Sequence, residues 1–436
     1  MKNFFFYTIC FFMQIISLPV NAQGKWKYDF IVPDNGSFVQ AINAANRRPD
    51  KNKRYRIFLK PSYYRIKGEG NTISCDENGK NVSFPSPITT LTAPNTSICG
   101  ESWSTTQVEN CPQHEGLNVT STLYLKGADS TYIQDIELWS NYKNIPNPYA
   151  NSSVALNEEN CKGNILKQVS LLSTKNTYYT NNGGTTYLED CRICGTTDFI
   201  CGGGTVMFNH CEMKMLPCGT TGNANIVAAP ATENGKKYGY VFVDCYFDGE
   251  KEQENKFLIG RPWKNYPKCV LLNCCMNVNP ASEGWGDYYQ TKPSYFSEYN
   301  TTDGHFELLD LSKRRTSYNV NGQLTNVNYS PSMSDEESEN YSINKVFDGW
   351  RPDNRADLVH PPVLKASGNV IYWDDIPEAG CYVVCLDRKI IAFTTQTRYT
   401  IPSLREGACY SVRCANWYGG LGPRSKDIVY PFKESK

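Results

Sequence analysis

Histidine is scarce: there are 4 in 436 residues, at the dispersed positions His114, His210, His305 and His360. Histidine-based catalysis and a His-rich metal centre therefore start with few candidates. An excess of one charge is also missing. Lys+Arg and Asp+Glu both total 44, the formal net charge is zero, and charged residues make up only 20% of the chain. Without a basic excess or basic runs, nothing favours nucleic acid or an anionic membrane surface as partner. Past the N-terminus no stretch approaches the roughly 18 apolar residues of a membrane span. Strong amphipathic helical windows are few, the clearest being Val39 to Ala45. What is present is core-forming material: 40% hydrophobic and 13% aromatic residues in a length that suits two or three domains, which excludes wholesale disorder. Cysteine is plentiful, with 18 residues.

The N-terminus reads as a secretory signal over residues 1–22. Lys2 precedes an apolar run from Phe4 to Val20, and Val20-Asn21-Ala22 places small or apolar residues at the −3 and −1 positions. Cleavage near Gln23 predicts an exported protein, periplasmic or extracellular, that loses Cys10 and keeps 17 cysteines (18 − 1). An odd count in an oxidising compartment leaves at least one thiol unpaired.

From Arg56-Ile-Phe-Leu-Lys60 to about Asn300 the chain is a succession of short β-rich runs separated by Gly, Asn, Asp and Ser. One signature recurs: Asn160-Cys161, Asp190-Cys191, His210-Cys211, Asp244-Cys245 and Asn273-Cys274, about 20 to 34 residues apart. Repeats of this length, each with one cluster of short strands, suggest the coils of a parallel β-helix. Inward positions stack along such a helix, so the cysteines are expected to form an internal ladder and not disulfides or a metal site. Cys191-x-x-Cys194 and Cys274-Cys275 lack a second ligand pair at zinc spacing, and no metal or cofactor is expected.

A polar stretch from Ser312 to Glu339, with the acidic run Ser334 to Glu339, reads as a solvated loop. Pro361-Pro362 then marks a linker to a region of different rhythm. Asn369-Val-Ile-Tyr-Trp373, Cys381-Tyr-Val-Val-Cys385, Ile390-Ile-Ala-Phe393 and Tyr410-Ser-Val-Arg413 alternate as in a small antiparallel sandwich. With Trp373 as inner tryptophan and the Tyr410 to Gly420 segment as late-strand signature, residues 361–436 resemble a fibronectin type III domain, whose default role is a spacer or interaction module. The fold class expected for the whole is all-β: a right-handed parallel β-helix over residues 23–353, followed by that sandwich.

Several common chemistries find no frame. Cys201-Gly-Gly-Gly-Thr205 lacks the Lys-Ser/Thr of a phosphate loop, and Ser152-Ser153 lacks a Gly-x-Ser-x-Gly frame. Two segments stand out instead. Gly195-Thr-Thr-Asp-Phe-Ile-Cys-Gly202 places Asp198 inside an apolar strand, where a carboxylate needs a partner. Leu258-Ile-Gly-Arg-Pro-Trp263 supplies Arg261 with an aromatic ring beside it. An arginine-held Asp is ionised and oriented as a carboxylate nucleophile must be; the plain alternative is a structural ion pair, and spacing alone does not separate the two.

Taken in order, Gly195 to Gly202, Ile259 to Trp263, Glu283-Gly-Trp285 and Tyr295 to Asn300 resemble the pectin methylesterase family. Phe38 to Ile42, Tyr55 to Leu59, Tyr63-Tyr64, Val154-Ala-Leu156 and Tyr341 to Val346 extend the likeness from about Asp29 to Trp350. The resemblance implies a right-handed parallel β-helix and an aspartate that attacks the methyl ester of galacturonate. It implies a second aspartate serving as acid and then base, glutamines at the oxyanion, an arginine on the nucleophile, and tryptophans along the sugar cleft. Residue by residue, Asp198 matches the nucleophile, Arg261 the arginine, and Trp263 and Trp285 the cleft aromatics, with Phe199 beside the nucleophile as a further substrate contact.

Three positions depart from that pattern. Lys175-Asn-Thr-Tyr-Tyr179 stands where the family has Gln-Asp-Thr-Leu-Tyr, so the acid/base aspartate is Asn176 and its neighbouring glutamine is Lys175; the glutamine before Val154 is Ser152. An amide cannot shuttle a proton, and losing a general acid/base costs about 10²–10⁴-fold in rate. A lysine at position 175 is able to stabilise an oxyanion and, with a lowered pKa, to act as the acid. Three readings stay open: a working carbohydrate esterase on a pectic methyl or acetyl ester, a degenerate homologue that binds pectic oligosaccharide without turnover, or another β-helix activity such as a pectate lyase. The lyase needs a calcium-binding carboxylate cluster, and none is evident around Asp198. The expected partner is pectic polysaccharide or oligosaccharide, met by a monomer.

Overall fold

A computed structural model describes residues 24–432 apart from 67–71, 76–80, 85–88, 113–115, 118–119, 143–151, 182 and 219–224. The signal reading at residues 1–22 and His114 lie outside the described residues. None of the described helices is long and apolar enough to cross a membrane.

The centre is a parallel β-helix of three sheets with ten, nine and seven strands, and within each sheet the strands follow chain order. One coil shows the repeat. Lys162–Lys167 lies in the first sheet, Ser170–Leu172 in the second and Tyr178–Asn181 in the third, and Thr185–Glu189 then returns to the first beside Lys162–Lys167. The inside is one continuous apolar column, closed at its N-terminal end by the helix Phe38–Arg47. Ser37 starts that helix with a capping box to Gln40, and Phe38, Ala41, Ile42 and Ala45 turn inward.

The recurring Asn/Asp-Cys signature has a backbone cause. Asp135, Gln168, Asp190, His210, Asp244, Asn273 and Asn300 all turn the corner between the first and second sheets with φ between 50° and 57°. Asn and Asp tolerate this left-handed conformation, which explains their excess here. The residue after each corner points inward: Ile136, Val169, Cys191, Cys211, Cys245, Cys274 and Thr301 are all buried. Four consecutive coils thus stack thiols, and each donates to a carbonyl of the preceding coil, at Leu166, Leu188, Phe208 and Phe242. Asn160-Cys161 does not belong to this ladder. It turns the corner from Leu156–Glu159 of the third sheet to Lys162–Lys167 of the first, so the sequence signature had merged two different corners. All 16 described cysteines are free thiols.

The Ser312 to Glu339 stretch is more ordered than its polarity suggested. It contains the hairpin Ser317–Val320 with Gln323–Asn326, and the helical turn Asp335–Ser338 capped by Ser334 and Glu337. The polar composition serves caps and turns there, while Met333, Val346, Phe347 and Ala356 pack on the outer face of the ten-stranded sheet over Tyr187, Met207 and Val241.

Two antiparallel sheets follow. One is Lys365–Ser367, Val370–Tyr372 and Arg398–Thr400; the other is built on Cys381–Leu386 and Cys409–Ala415 with Lys389–Thr394, Leu421–Arg424 and Ile428–Val429. Between them lies a core in which Trp373 meets Tyr382 edge-on at 5.3 Å. This module covers the outer face of the first coils. Tyr28 donates to the Gly419 carbonyl at 2.6 Å, Arg56 to the Trp417 carbonyl at 2.9 Å, and Glu101 receives Arg424 and Arg413.

Asp135 sits at that seam with its carboxylate accepting from Gln134 at 2.7 Å. Burial pushes its carboxyl up to about 7, opposed by the Gln134 hydrogen bond and by Arg413 and Lys167. The unfolded carboxyl titrates near 3.8, so the folded chain holds this proton more tightly. Its contribution is complete below about pH 4 and is lost as pH rises toward 7. Asp135→Asn keeps the left-handed corner and removes the ionisation. It is expected to raise stability by about 4 kcal/mol at pH 7.5 and to change nothing at pH 4, as measured by denaturant unfolding at both values. Equal effects at both pH values would show that the gain is not electrostatic.

Candidate functional site

The seven-stranded sheet carries the site on its outer face. In strand Thr197–Gly202 the pairing with Ile226–Pro230 slips by one residue: Thr197 opposes Ile226, but Ile200 opposes Ala228. Asp198 and Phe199 therefore share one partner position, a β-bulge, and Asp198 takes a φ of 48°. Bulges re-aim side chains. Here the bulge sends Asp198 outward and Phe199 into the core. Gly195 makes this possible, because a Cβ there would lie 2.2 Å from the Phe199 Cβ. Gly202 ends the strand at φ 112°, where a Cβ would meet the Thr180 carbonyl oxygen at 1.7 Å.

Asp198 is 7% exposed and is gripped by Arg261, whose Nε donates to Oδ1 at 2.9 Å and whose second nitrogen donates to Oδ2 at 2.5 Å. This fork-on-fork geometry fixes the orientation of the carboxylate. Arg261 follows strand Leu258–Gly260, is pinned by its own N–H on the Ala228 carbonyl, and lies 4.9 Å from the centroid of the Tyr288 ring.

The neighbouring coil brings Lys175 and Asn176 alongside, with Ser152 bridged to Lys175 through the backbone. Asn176 adopts φ 64° and is 7% exposed. Its oxygen accepts from Ser152 Oγ at 2.8 Å, while its amide donates to the Asp198 carbonyl at 3.3 Å and to Cys201 Sγ at 3.2 Å. The amide is thus tied into the wall that carries the carboxylate. Burial pushes the Cys201 thiol far up, so it is an uncharged neighbour. Val154, Tyr179, Cys201 and Ala229 form a small apolar patch here, with Trp263 packed at its edge 6.3 Å from the Tyr179 ring.

Of the residues expected from sequence, Asp198, Arg261, Asn176, Lys175, Ser152 and Trp263 lie together. Two expectations are corrected. Trp285 is wholly buried and packs on Phe296 with ring centroids 4.7 Å apart; it supports the Gly260 backbone from behind and lines no cleft. Phe199 is likewise wholly buried, because the bulge points it inward. Four residues were not anticipated: Tyr179, Tyr288, Cys201 and Lys264, whose ammonium lies 4.6 Å from the Trp263 ring centroid. Cys201 lies within strand Thr197–Gly202 of the seven-stranded sheet, whereas the stacked thiols of the ladder sit at the corner between the other two sheets. Tyr288 carried no signal beyond being aromatic. Among the described residues no group of three or more His, Cys, Asp or Glu side chains is placed to hold a metal ion.

Comparison with known proteins gives a consistent result. A family model described as Pectinesterase matches residues 90–330, more than half the chain. Pectinesterase 31 of Arabidopsis thaliana is 31% identical over 131 residues, covering 29% of this chain and 39% of that protein. Probable pectinesterase/pectinesterase inhibitor 64 of the same plant is 29% identical over 157 residues, 32% of this chain and 26% of that protein. The chain thus matches well under half the length of these relatives. Among solved structures, pectin methylesterase PemA from Erwinia chrysanthemi superposes with a TM-score of 0.57 at 20% identity, over 75% of this chain and 99% of that one. Pectin methylesterase from carrot gives 0.57 at 17% identity, over 75% and 95%. At these identities the superpositions establish the fold, a pectin methylesterase-type β-helix.

Proposed function

Because the chain belongs to the pectinesterase family, we propose that it is a secreted carbohydrate esterase that hydrolyses esterified galacturonate in pectin with Asp198 as nucleophile. The observation that carries this reading is the two-pronged Arg261 grip on an Asp198 carboxylate that a bulge and a left-handed backbone turn out of the sheet. A bulge re-aims a side chain and bulges collect beside active sites, whereas an ion pair that only holds the fold together needs none.

In the proposed reaction an Asp198 oxygen forms a bond to the ester carbonyl carbon and the bond to the methoxy oxygen breaks. The departing methoxide takes a proton from the Lys175 ammonium and leaves as methanol. Neutral Lys175 then removes a proton from water, which adds to the same carbonyl carbon and releases Asp198. Lys175 thus takes the acid/base place, and Asn176 with Ser152 builds the wall behind it. Export rests on the Lys2 and Phe4 to Val20 pattern, and the C-terminal sheets are read as a fibronectin type III-like module fixed to the β-helix.

The committed amide of Asn176 also favours a second reading, a homologue that binds pectic oligosaccharide without turnover. Release of methanol and acetate from methylated and acetylated pectins separates the two. Lys175→Ala is expected to lower kcat by about 10²–10⁴-fold, and Lys175→Arg, which keeps the charge but is a far weaker proton donor, should not restore it. Absence of turnover in the wild type on every ester would establish the binding reading.

A further inference from the structure

A cavity of about 280 Å³ opens on the outer face of the ten-stranded sheet, around a corner of the β-helix from Asp198. Its floor is Val241 and Val270, side by side on the paired strands Tyr240–Val243 and Lys268–Leu272. Tyrosines wall it. Tyr238 and Tyr341 meet edge to face at 5.6 Å, Tyr238 donates to the Asn340 carbonyl at 2.9 Å, and Tyr295 lines the cavity from the next strand. The turn Glu339–Tyr341, at the end of the polar stretch, thus builds part of a wall. Two cations stand at the same cavity. The half-buried Lys268 ammonium donates to the Lys236 and Lys237 carbonyls at 2.5 and 3.2 Å, and burial draws its pKa down with no carboxylate to offset that cost. Lys237 lies over the Tyr238 ring at 5.0 Å. The acidic group acting on this cavity is Glu337, felt by the Tyr295 and Tyr341 phenols, and its carboxylate already accepts from the Ser334 N–H at 2.9 Å. Two ammoniums against one engaged carboxylate leave the cavity positive.

The geometry points to this cavity as a second, non-catalytic binding site that takes a single uronic acid monosaccharide. It rests on neither turnover nor binding at Asp198. The volume lies just under the roughly 300–1,000 Å³ of ligand pockets in general, which suits one ring and not a chain of sugars. Lys268 meets the carboxylate, and an ammonium already stripped of part of its water and held by neutral carbonyls attracts an anion more strongly than one in bulk solvent. Val241 and Val270 take the C–H face of the ring, while Ser294 and the phenols of Tyr295 and Tyr341 exchange hydrogen bonds with its hydroxyls. A phosphate ion would use the cations and leave the rings idle. A planar aromatic acid would use the rings and leave the hydroxyls idle.

The test is calorimetry at low salt with galacturonate, galactose, inorganic phosphate and 4-hydroxybenzoate as separate probes. The wild type is expected to bind galacturonate at least about fivefold tighter than each of the other three. Lys268→Gln should weaken galacturonate about fivefold, Lys268→Arg should retain it, and methanol release from methylated pectin should be the same in both variants and the wild type. Tyr341→Ala should weaken galacturonate by a similar factor, and it decides the matter if Lys268→Gln, which also frees two carbonyls, does not fold. Trp263→Ala, on the other face, should leave galacturonate binding unchanged. No binding of galacturonate by the wild type would overturn the inference. So would equal affinity for galactose, which would make the cations idle, or for phosphate or 4-hydroxybenzoate, which would remove the sugar. A loss with Trp263→Ala as large as with Lys268→Gln would place the sugar in the Asp198 cleft and overturn it as well. Galacturonate binding that survives in a protein without turnover would uphold the inference while the esterase reading fails.

Discussion

Asp198→Asn is expected to abolish ester hydrolysis, lowering kcat by at least about 10⁴-fold while leaving the fold intact. Asparagine keeps the size of the side chain and tolerates the left-handed backbone at φ 48°, so the bulge survives. What goes is the nucleophilic oxygen and one arm of the Arg261 fork. Arg261 then faces the cleft with its charge uncancelled, and the variant should bind free-acid oligogalacturonate more tightly than the wild type. The paired readout, methanol release against binding affinity, distinguishes lost chemistry from lost structure. Turnover above 1% of wild type would sink the assignment of Asp198 as nucleophile.

The second large effect concerns stability. Glu298 and Arg314 form a fully buried ion pair at 2.7 Å, with side chains 0% and 3% exposed. Arg314 also donates to the Ser282 carbonyl, and Arg315 donates to the carbonyl of Trp285. These bonds clamp the segment that pairs with Gly260 just ahead of Arg261, through Gly286 N–H to the Gly260 carbonyl at 2.7 Å. Glu298→Ala leaves the guanidinium buried without its partner and should cost about 3–5 kcal/mol. Replacing both partners, Glu298→Leu with Arg314→Met, should recover much of that loss, because two apolar groups avoid the desolvation penalty. Urea unfolding of the three proteins checks the order. A Glu298→Ala loss below about 1 kcal/mol would mean that water reaches the pair. If the clamp positions Arg261, the same variant also lowers kcat at temperatures where it remains folded.

Much of the fold was legible because the β-helix writes its corners into sequence. A left-handed backbone favours Asn or Asp, and the residue after it points inward, so a related pair recurs along the coils, with cysteine as the inward residue in four of them. The same rule misled at Cys161, since another corner with the same backbone demand produces the same pair of letters. At the site, Asp198 and Arg261 were readable because a carboxylate in an apolar strand and an arginine locked between Gly and Pro are costly choices. Phe199 was misplaced because in a bulged strand parity of position no longer tells inside from outside, and Trp285 because it forms an isolated bridge outside any strand, where position along the chain does not set the face. Tyr288 meets Arg261 from a later segment, a contact that spacing along the chain does not encode.

The thiol column at the first corner has a consequence beyond packing. Cys191, Cys211, Cys245 and Cys274 are each buried, and burial pushes the first three far above the ordinary range of a thiol, leaving them protonated and inert while their coil is closed. A coil that opens exposes its own sulfur and not those of coils still closed. The column is in effect a row of numbered seals along the helix axis, and the order in which they become available to an alkylating reagent records from which end the solenoid comes apart.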